Sequence, residues 1–313
     1  MTRVAAIDCG TNTVKLLVAD LEPDGSSVEH LRTMRMVRLG QDVDRTGELH
    51  PDALARLFGA LDEYAAIIAD HDVTHLRFCA TSAARDARNA DEFTAGVQAR
   101  LGVRPEVVSG DEEARLSFAG ATRGLPPGLP GPFVVVDIGG GSTELVRGAA
   151  YAAFDPAAPG SQACSMDVGA VRLTERHLAG DPPTEAQVAA AISDIEAALD
   201  GAPVDLAEAG TVIGVAGTIT TITADVLGLD SYDRAAIDGA VLAASDVARA
   251  GRRLLASTVA ERRALPFLHP GRADVIGAGA LILERVLART GVESLRVSEA
   301  DILDGIAWSL VDP

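Results

Sequence analysis

Residues 133–145 read Phe-Val-Val-Val-Asp-Ile-Gly-Gly-Gly-Ser-Thr-Glu-Leu, and this stretch decides the fold. Phe133 to Val136 is a β-branched run that is typical of a buried strand and leads into Asp137. A turn rich in Gly, Ser and Thr directs several N–H groups at one point and lets a phosphate approach without interference from Cβ atoms. Three consecutive glycines exceed what a plain hairpin turn requires. We therefore predict that phosphate is bound by Gly139, Gly140, Gly141 and Ser142.

A shorter version of the same pattern lies near the N-terminus. Residues 4–7 and 15–19 predict two strands around the turn Asp8-Cys9-Gly10-Thr11-Asn12-Thr13. Aligning the two stretches places Asp8 on Asp137, which makes a weak internal repeat. Alone, this turn would suit any tight hairpin, because Asn and Gly are common in turns. The repeat adds further predicted phosphate-binding residues, namely Gly10, Thr11, Asn12 and Thr13.

Acidic residues flank both predicted turns. Mg²⁺ takes oxygen ligands and keeps several waters, so one or two carboxylates beside a bound phosphate suffice to hold it. Asp137 and Glu144 are seven residues apart across the glycine turn, and both can return to the same end of the hairpin. We therefore predict that Asp137 and Glu144 bind Mg²⁺, with Mn²⁺ as a second candidate ion. Asp8 is a further candidate ligand.

Hydrolysis of a phosphoanhydride needs a base that orients and deprotonates the attacking water. Glu112 and Glu113 are candidates, although acidic pairs at a predicted helix start commonly only complement the helix dipole. Arg85 follows Thr81 and Ser82, hydroxyl residues that can cap the next helix, and it is placed to bind phosphate at that helix N-terminus. Its alternative interpretation is an ordinary surface arginine.

Residues 124–132 read Gly-Leu-Pro-Pro-Gly-Leu-Pro-Gly-Pro and cannot sustain a helix or a central strand. The chain has 313 residues, more than a single core usually accommodates, so we place a domain boundary there. The predicted domains are 1–125 and 131–313. Helices are predicted over 51–70, 273–289 and 301–310, and short strands over 76–80, 104–109 and 212–215.

The formal net charge of −18 produces a field that repels nucleic acid and anionic membranes. The same field repels a phosphate polymer, so binding one requires local positive potential from arginines, backbone N–H groups and a metal ion. The N-terminus lacks the apolar region of a secretory signal, and no segment approaches the roughly 18 uninterrupted apolar residues of a membrane span. We predict a cytoplasmic protein with no nucleic-acid or membrane partner. The arginine pairs at 252–253 and 262–263 are interpreted as solvated helix faces, and the three isolated cysteines as buried free thiols.

Seven motifs together resemble the exopolyphosphatase and guanosine pentaphosphate phosphohydrolase (Ppx/GppA) family. In chain order they are AAIDCGTNTVKLLVAD, ATSAARDARN, VSGDEEARLSFAGA, VVVDIGGGSTELV, MDVGAVRLTER, GVAGTITTITA and RADVIGAGALIL. The resemblance implies an α/β fold with two ribonuclease-H-like lobes around a central cleft, as in the actin, Hsp70 and sugar kinase superfamily. It also implies Mg²⁺ dependence and a homodimer.

The resemblance assigns roles to individual residues. Glu113, the second glutamate of the DEEAR run, falls on the family's catalytic base, while Asp137 and Glu144 fall on its metal-site acids. Thr11, Asn12, Arg85 and residues 139–142 fall on its phosphate-contacting positions. To these we add Gly217 and Thr218 of the GVAGTITTITA motif.

We therefore predict an exopolyphosphatase that hydrolyses the terminal phosphoanhydride bond of inorganic polyphosphate and releases orthophosphate. The alternatives are a hydrolase that converts pppGpp to ppGpp, a protein that binds polyphosphate or a nucleotide without turnover, and a kinase of the sugar-kinase type. Longer family members carry extra helical domains that extend the polymer channel, so we expect lower processivity on long chains. The prediction requires that the loops around Asn12 and Gly140 close on the same anion, with Glu113 directed at it.

Overall fold

The computed structural model describes residues 1–148, 158 and 160–311. These residues form two compact units. The first contains Met1–Gly120 together with the C-terminal segment from Ile302, and the second contains Ala121–Asp301. Each unit has its own mixed β-sheet, with five strands in the first and six in the second.

The first unit begins with a β-hairpin and continues through alternating helices and strands. Its strands are β1 (Thr2–Cys9), β2 (Thr13–Leu21), β3 (Ser27–Met36), β4 (His75–Ala80) and β5 (Glu106–Val107). Its helices are α1 (Val43–Thr46), α2 (Pro51–Asp70), α3 (Ser82–Asp86), α4 (Ala90–Leu101) and α5 (Gly110–Arg123), the last of which ends within the second unit.

The first sheet has the strand order β3-β2-β1-β4-β5. β1 pairs antiparallel with β2 over its whole length, from Thr2↔Leu21 to Cys9↔Val14, and parallel with β4. Alternate residues of β1 lie in two different clusters of buried apolar side chains, one of which also includes residues of α2 and α4. Burial on both faces explains why β1 reads as an almost continuous apolar run.

The second unit repeats the hairpin and adds a larger helical layer. Its strands are β6 (Phe133–Ile138), β7 (Thr143–Gly148), β8 (Gln162–Met166), β9 (Thr211–Val215), β10 (Val241–Ala243) and β11 (Ser294–Val297). Its helices are α6 (Ala170–His177), α7 (Glu185–Gly201), α8 (Ala216–Leu227), α9 (Arg234–Ile237), α10 (Ala244–Ala256), α11 (Val259–Arg263) and α12 (Ile276–Ala288).

The second sheet has the strand order β10-β11-β9-β6-β7-β8. β6 pairs antiparallel with β7 and parallel with β9, which is the arrangement of β1 with β2 and β4 in the first sheet. The core of this unit is one large apolar cluster from the sheet and helices α6, α7, α8, α10 and α12. The internal repeat predicted from the two turns therefore extends to a third strand in each unit.

The last helix, α13 (Ile302–Trp308), accounts for the main difference from the predicted domains. We predicted one domain over 131–313, but α13 buries Leu303 and Ile306 against apolar residues of β1, β2 and β4 in the first unit. A bidentate ion pair from Arg32 to Asp304 also holds α13 to β3. The division of the chain falls within α5, after Gly120, because this helix continues to Arg123 before the Pro/Gly-rich segment.

Most predicted elements are present, with shifts at their ends. The helix predicted over 51–70 is α2, and Pro51 occupies its first turn, where proline is tolerated. The strand predicted over 104–109 is reduced to β5, and the helix predicted from 273 begins at Ile276, after a 3₁₀ turn, Pro270–Arg272. None of the helices within the described ranges combines the length and the apolar character that crossing a membrane requires.

Candidate active site

The turn of the first hairpin is held by backbone hydrogen bonds. The N–H of Gly10 donates to the carbonyl of Thr13 at 2.9 Å, and the carbonyls of Thr11 and Asn12 accept from N–H groups of residues 37–40. In a trans peptide, the carbonyl and the following N–H point in opposite directions. The N–H groups of Asn12 and Thr13 are therefore directed away from the 37–40 segment, as an anion-binding turn requires.

Thr11 connects this turn to the start of α3. Its Oγ1 lies 2.8 Å from Oγ of Ser82, and both side chains are buried. A Cβ atom on Gly40 would lie 2.2 Å from Cγ2 of Thr11, so only glycine fits beside this threonine. The hydroxyl groups at 81 and 82 were expected to cap α3, but Thr81 makes no such side-chain bond and Ser82 contacts Thr11 instead. Ser82 thus joins the candidate site, which the sequence analysis did not predict.

Glu113 lies in the first turn of α5 and is 6% exposed. Nη1 of Arg85 donates to Glu113 Oε2 at 3.1 Å and to the carbonyl of Val108 at 3.0 Å. The structure therefore pairs the predicted base with an arginine predicted to bind phosphate. Its neighbour Glu112 is only half-buried, and its Oε1 lies 3.4 Å from Nη2 of Arg77. Burial and a fixed partner distinguish Glu113 from a glutamate that only complements the helix dipole.

Asp8 and Lys15 lie directly opposite each other on β1 and β2. Nζ of Lys15, the only lysine in the sequence, is 3.2 Å from Oδ2 of the buried Asp8. A cation at this distance favours the ionised carboxylate. It also opposes the binding of a metal cation to Asp8, which weakens the prediction of Asp8 as a metal ligand.

The glycine turn of the second hairpin has the same closing hydrogen bond as the first. The N–H of Gly139 donates to the carbonyl of Ser142 at 3.0 Å. The carbonyls of Gly139 and Gly140 accept from the first residues of α6, at 2.8 to 3.1 Å. The N–H of Gly141 therefore points away from α6. A Cβ atom on Gly169 would lie only 2.5 Å from the Gly140 carbonyl oxygen, so glycine at 169 permits this contact.

Asp137 and Glu144 lie opposite each other on β6 and β7, with exposures of 6% and 2%. Directly opposed side chains share one face of the sheet, with Cβ atoms about 5 Å apart. Ser165, the partner of Glu144 on β8, donates its hydroxyl to Glu144 Oε1 at 2.6 Å. Two buried carboxylates in this arrangement repel each other unless a cation or a proton lies nearby.

The oxygen-only donor set of Asp137 and Glu144 fits Mg²⁺ or Mn²⁺. Within the described residues, no group of three or more His, Cys, Asp or Glu side chains is arranged to hold a metal ion. The protein would therefore supply two carboxylates, leaving further positions for water and phosphate oxygens. This is the usual arrangement for Mg²⁺ at phosphate-binding sites.

The junction between β9 and α8 carries Gly217 and Thr218. It begins just after Val215, the parallel partner of Asp137, so it adjoins the end of β6. Nη1 of Arg272 donates to the Gly217 carbonyl at 3.3 Å, and a Cβ atom on Gly217 would overlap the guanidinium. Burial lowers the pKa of Arg272. Arg272 was missed as a site residue, although it begins the RADVIGAGALIL motif.

The residues predicted from the sequence thus fall into two groups. In the first unit, Thr11 of the 10–13 turn contacts Ser82 in α3, and Arg85 of the same helix pairs with Glu113. In the second unit, Asp137 and Glu144 flank the 139–142 turn. Val215, which pairs with Asp137 at the end of β9, is followed closely by Gly217 and Thr218.

Comparison with known proteins decides the family. The model of the Ppx/GppA phosphatase family matches residues 24–312. The chain belongs to the Ppx/GppA phosphatase family. Exopolyphosphatase 2 of Mycobacterium tuberculosis is 45% identical over 332 aligned residues, which cover 99% of this chain and 99% of that protein.

Two solved structures extend the Ppx/GppA comparison. The crystal structure of an exopolyphosphatase-like protein is 45% identical, with a TM-score of 0.92 and coverage of 99% of this chain and 98% of that chain. The Ppx/GppA family member of Aquifex aeolicus is 32% identical, with a TM-score of 0.80 and coverage of 99% and 97%. The predicted family, α/β fold class and phosphatase class are therefore confirmed, while the roles of single residues stay predictions.

Proposed function

We propose that this Ppx/GppA chain hydrolyses the terminal phosphoanhydride bond of inorganic polyphosphate and releases orthophosphate. The observation that carries the proposal is the buried carboxylate of Glu113, held by Arg85 in the unit that also contains the 10–13 turn. A protein that only binds its ligand has no need of a fixed, buried base. The 45% identity to an exopolyphosphatase over its full length supports polyphosphate as the substrate.

Phosphate oxygens are bound in this proposal by backbone N–H groups of the 10–13 and 139–142 turns, by the start of α8 at Gly217 and Thr218, and by Arg85. These donors supply local positive potential on a chain whose formal net charge is −18. Backbone donors also cannot be displaced by rotation of a side chain. They hold the terminal phosphorus in position for attack.

Asp137 and Glu144 would hold Mg²⁺, or Mn²⁺ in its place, with Ser165 orienting Glu144 through its hydroxyl. Bound there, the ion would neutralise phosphate oxygens and stabilise charge that develops on the leaving phosphate. The repulsion between the two carboxylates would be relieved at the same time. We do not include Asp8 in this ligand set, because the ammonium group of Lys15 lies beside it.

Glu113 orients a water molecule and accepts its proton as the water oxygen attacks the terminal phosphorus. The bond from this phosphorus to the bridging oxygen breaks, and the shortened chain leaves with that oxygen. The products are orthophosphate and a polyphosphate one unit shorter. The hydrogen bond from Arg85 keeps the carboxylate ionised and limits its rotation before the attack.

The remaining predictions belong to the same proposal. We propose a cytoplasmic enzyme that acts as a homodimer and has neither nucleic acid nor membrane as a partner. Its negative charge supports the exclusion of nucleic acid and of anionic membrane surfaces. The alternative candidates for the substrate are pppGpp and other nucleotides.

The test is orthophosphate release by the purified chain with Mg²⁺, using long polyphosphate, short polyphosphate and pppGpp side by side. We expect the highest kcat/KM on polyphosphate. A higher kcat/KM on pppGpp would assign the guanosine pentaphosphate activity instead. Saturable polyphosphate binding without product over hours would indicate a binding protein, and phosphate transfer to an added alcohol would indicate a kinase.

A further inference from the structure

A cavity of about 310 Å³ lies in the second unit, among the end of α6, the 178–183 loop and the first residues of α11 and α12. None of the residues assigned above to phosphate, metal or water lines it. Its volume is at the lower end of the range of about 300–1,000 Å³ that is typical of ligand pockets. The cavity is therefore suited to a molecule of amino-acid size.

Arg262 is a buried basic residue in the lining of this cavity. Its pair with Arg263 was predicted to be a solvated helix face, but only Arg263 is exposed, and Arg262 is 4% exposed. The prediction was wrong because two adjacent helical residues point in directions about 100° apart. Arg262 turns toward α12, where a Cβ atom on Gly277 would lie 3.2 Å from its Nη1.

The guanidinium of Arg262 retains unused donors. Its Nε donates to the Thr258 carbonyl at 3.3 Å, and its Nη2 lies 3.7 Å from Asp181 Oδ1, which is beyond hydrogen-bond distance. Within the described residues, neither terminal nitrogen donates a hydrogen bond to a protein acceptor. Burial lowers the pKa of Arg262, and the nearby carboxylates of Asp181 and Asp274 offset this shift only in part. A buried cation of this kind is stabilised when an anionic group enters the cavity.

We propose that this cavity binds a small zwitterion with a carboxylate, an ammonium group and a short aliphatic body. The carboxylate would receive paired hydrogen bonds from the terminal nitrogens of Arg262. Acidic residues in the lining make a dianion such as phosphate unfavourable and attract an ammonium group. They are Glu175, Asp181 and Asp274. The aliphatic body would contact the apolar lining residues Leu178, Leu255 and Val259.

L-leucine is the probe that carries all three features, and isothermal titration calorimetry measures its binding. The comparison ligands are 4-methylpentanoate, which lacks the ammonium group, 3-methylbutylamine, which lacks the carboxylate, and inorganic phosphate. We expect saturable binding of L-leucine, with affinity at least about tenfold weaker for each of the other three. Equal or tighter binding of phosphate, or the absence of saturable L-leucine binding, would overturn the proposal.

Two variants locate the binding. Arg262→Gln should weaken L-leucine binding at least about tenfold, whereas the exposed neighbour Arg263→Gln should leave it unchanged. If Arg262→Gln fails to fold, Ala179→Phe replaces it, because Ala179 is an exposed loop residue that lines the cavity and a phenyl ring there would fill it. Unchanged binding by a folded Arg262→Gln, or by Ala179→Phe, places the ligand elsewhere and refutes the assignment.

Discussion

Lys15 and Glu144 occupy corresponding positions in the two repeated hairpins, each directly opposite the aspartate one residue before the end of the preceding strand. In the first hairpin the pair is Asp8 with a lysine, and the ammonium group neutralises the buried carboxylate. In the second hairpin the pair is Asp137 with a glutamate, and two buried carboxylates share one face of the sheet. The repeat therefore keeps the backbone turn, while the second copy places two carboxylates where the first has a carboxylate and an ammonium group.

The first prediction concerns the acidic pair of the second hairpin. Glu144→Gln should raise the Tm of the metal-free protein by about 2 °C, because replacing one carboxylate removes repulsion worth up to about 1 kcal/mol. The same variant should require at least about tenfold more Mg²⁺ for half-maximal hydrolysis. Differential scanning fluorimetry and Mg²⁺ titration of orthophosphate release measure the two effects.

Controls separate this effect from a general loss of negative charge. Glu185→Gln removes an exposed carboxylate in the same unit and should leave the Mg²⁺ requirement unchanged. Ser165→Ala removes the hydroxyl donor to Glu144 and should raise the requirement less than Glu144→Gln does. If Glu144→Gln left the Mg²⁺ dependence as in the wild type, the metal would have to bind elsewhere.

The second prediction concerns the mixed pair of the first hairpin. Lys15→Met leaves the buried Asp8 without its cation and should lower the free energy of unfolding by about 3 kcal/mol. Asp8→Asn combined with Lys15→Met should recover most of this loss, since neither member of the pair then carries a charge. Urea unfolding of the wild type, both single variants and the double variant gives the coupling energy. Additive effects in this cycle would show that the two side chains do not interact.

The third prediction concerns the proposed base. Glu113→Gln should lower kcat for polyphosphate by about 10²- to 10⁴-fold and change KM little, because glutamine still accepts the hydrogen bond from Arg85 but cannot take a proton from water. Steady-state orthophosphate release measures both constants. Its neighbour Glu112 is half-buried and pairs with Arg77 instead of Arg85, so Glu112→Gln should retain kcat within about twofold. Equal losses in both variants would indicate a structural effect of this helix start and not base catalysis.

The fourth prediction concerns the cysteines. Cys9 and Cys79 are 1% and 0% exposed, and burial raises the pKa of both thiols, that of Cys79 to about 12. Cys164 is only half-buried. Because the thiolate is the reactive form, iodoacetamide at pH 8 should modify Cys164 first in the native protein. Peptide mass spectrometry of samples alkylated with and without urea checks this order, and rapid native labelling of Cys79 would contradict it.

The hairpins, their turns and the helix α2 could be predicted from the sequence because each depends on residues that are close in the chain. A turn flanked by two apolar strands defines its own register, and this register placed Asp137 opposite Glu144. The similarity between the 137–142 and 8–13 turns then supported the prediction for the 8–13 turn, which is weaker on its own. Family motifs distinguished Glu113 from Glu112, which local composition could not do.

The features that could not be predicted depend on distant contacts. Arg272 reaches the Gly217 carbonyl across 55 positions, and Ser82 reaches Thr11 across 71. The sequence predicted a helix over 301–310 but not which sheet would bury it. For Arg262, the adjacent Arg263 suggested a solvated helix face. The contact between Arg262 in α11 and Gly277 in α12 could not be predicted from the sequence.

The last prediction tests whether the glycine turn depends on its contact with the segment before α6. Gly169 has an extended backbone, φ −145° and ψ 166°, which alanine can adopt without strain. The cost of Gly169→Ala therefore arises from contact alone, since its Cβ atom would lie 2.5 and 2.6 Å from the oxygen and carbon of Gly140, which are backbone atoms. We expect a loss of about 1–3 kcal/mol in the free energy of unfolding, together with a lower kcat/KM, because the turn must shift.

Gly59→Ala is the matched control for this substitution. Gly59 is exposed in the middle of α2, and a Cβ atom there would meet nothing within 4 Å. The same chemical change should therefore raise the free energy of unfolding by about 0.5–1 kcal/mol, since alanine loses less conformational entropy in a helix than glycine does. Urea unfolding and orthophosphate release are measured on both variants. If Gly169→Ala matched Gly59→Ala in stability and kept full kcat/KM, the close contact would not be what holds the 139–142 turn in place.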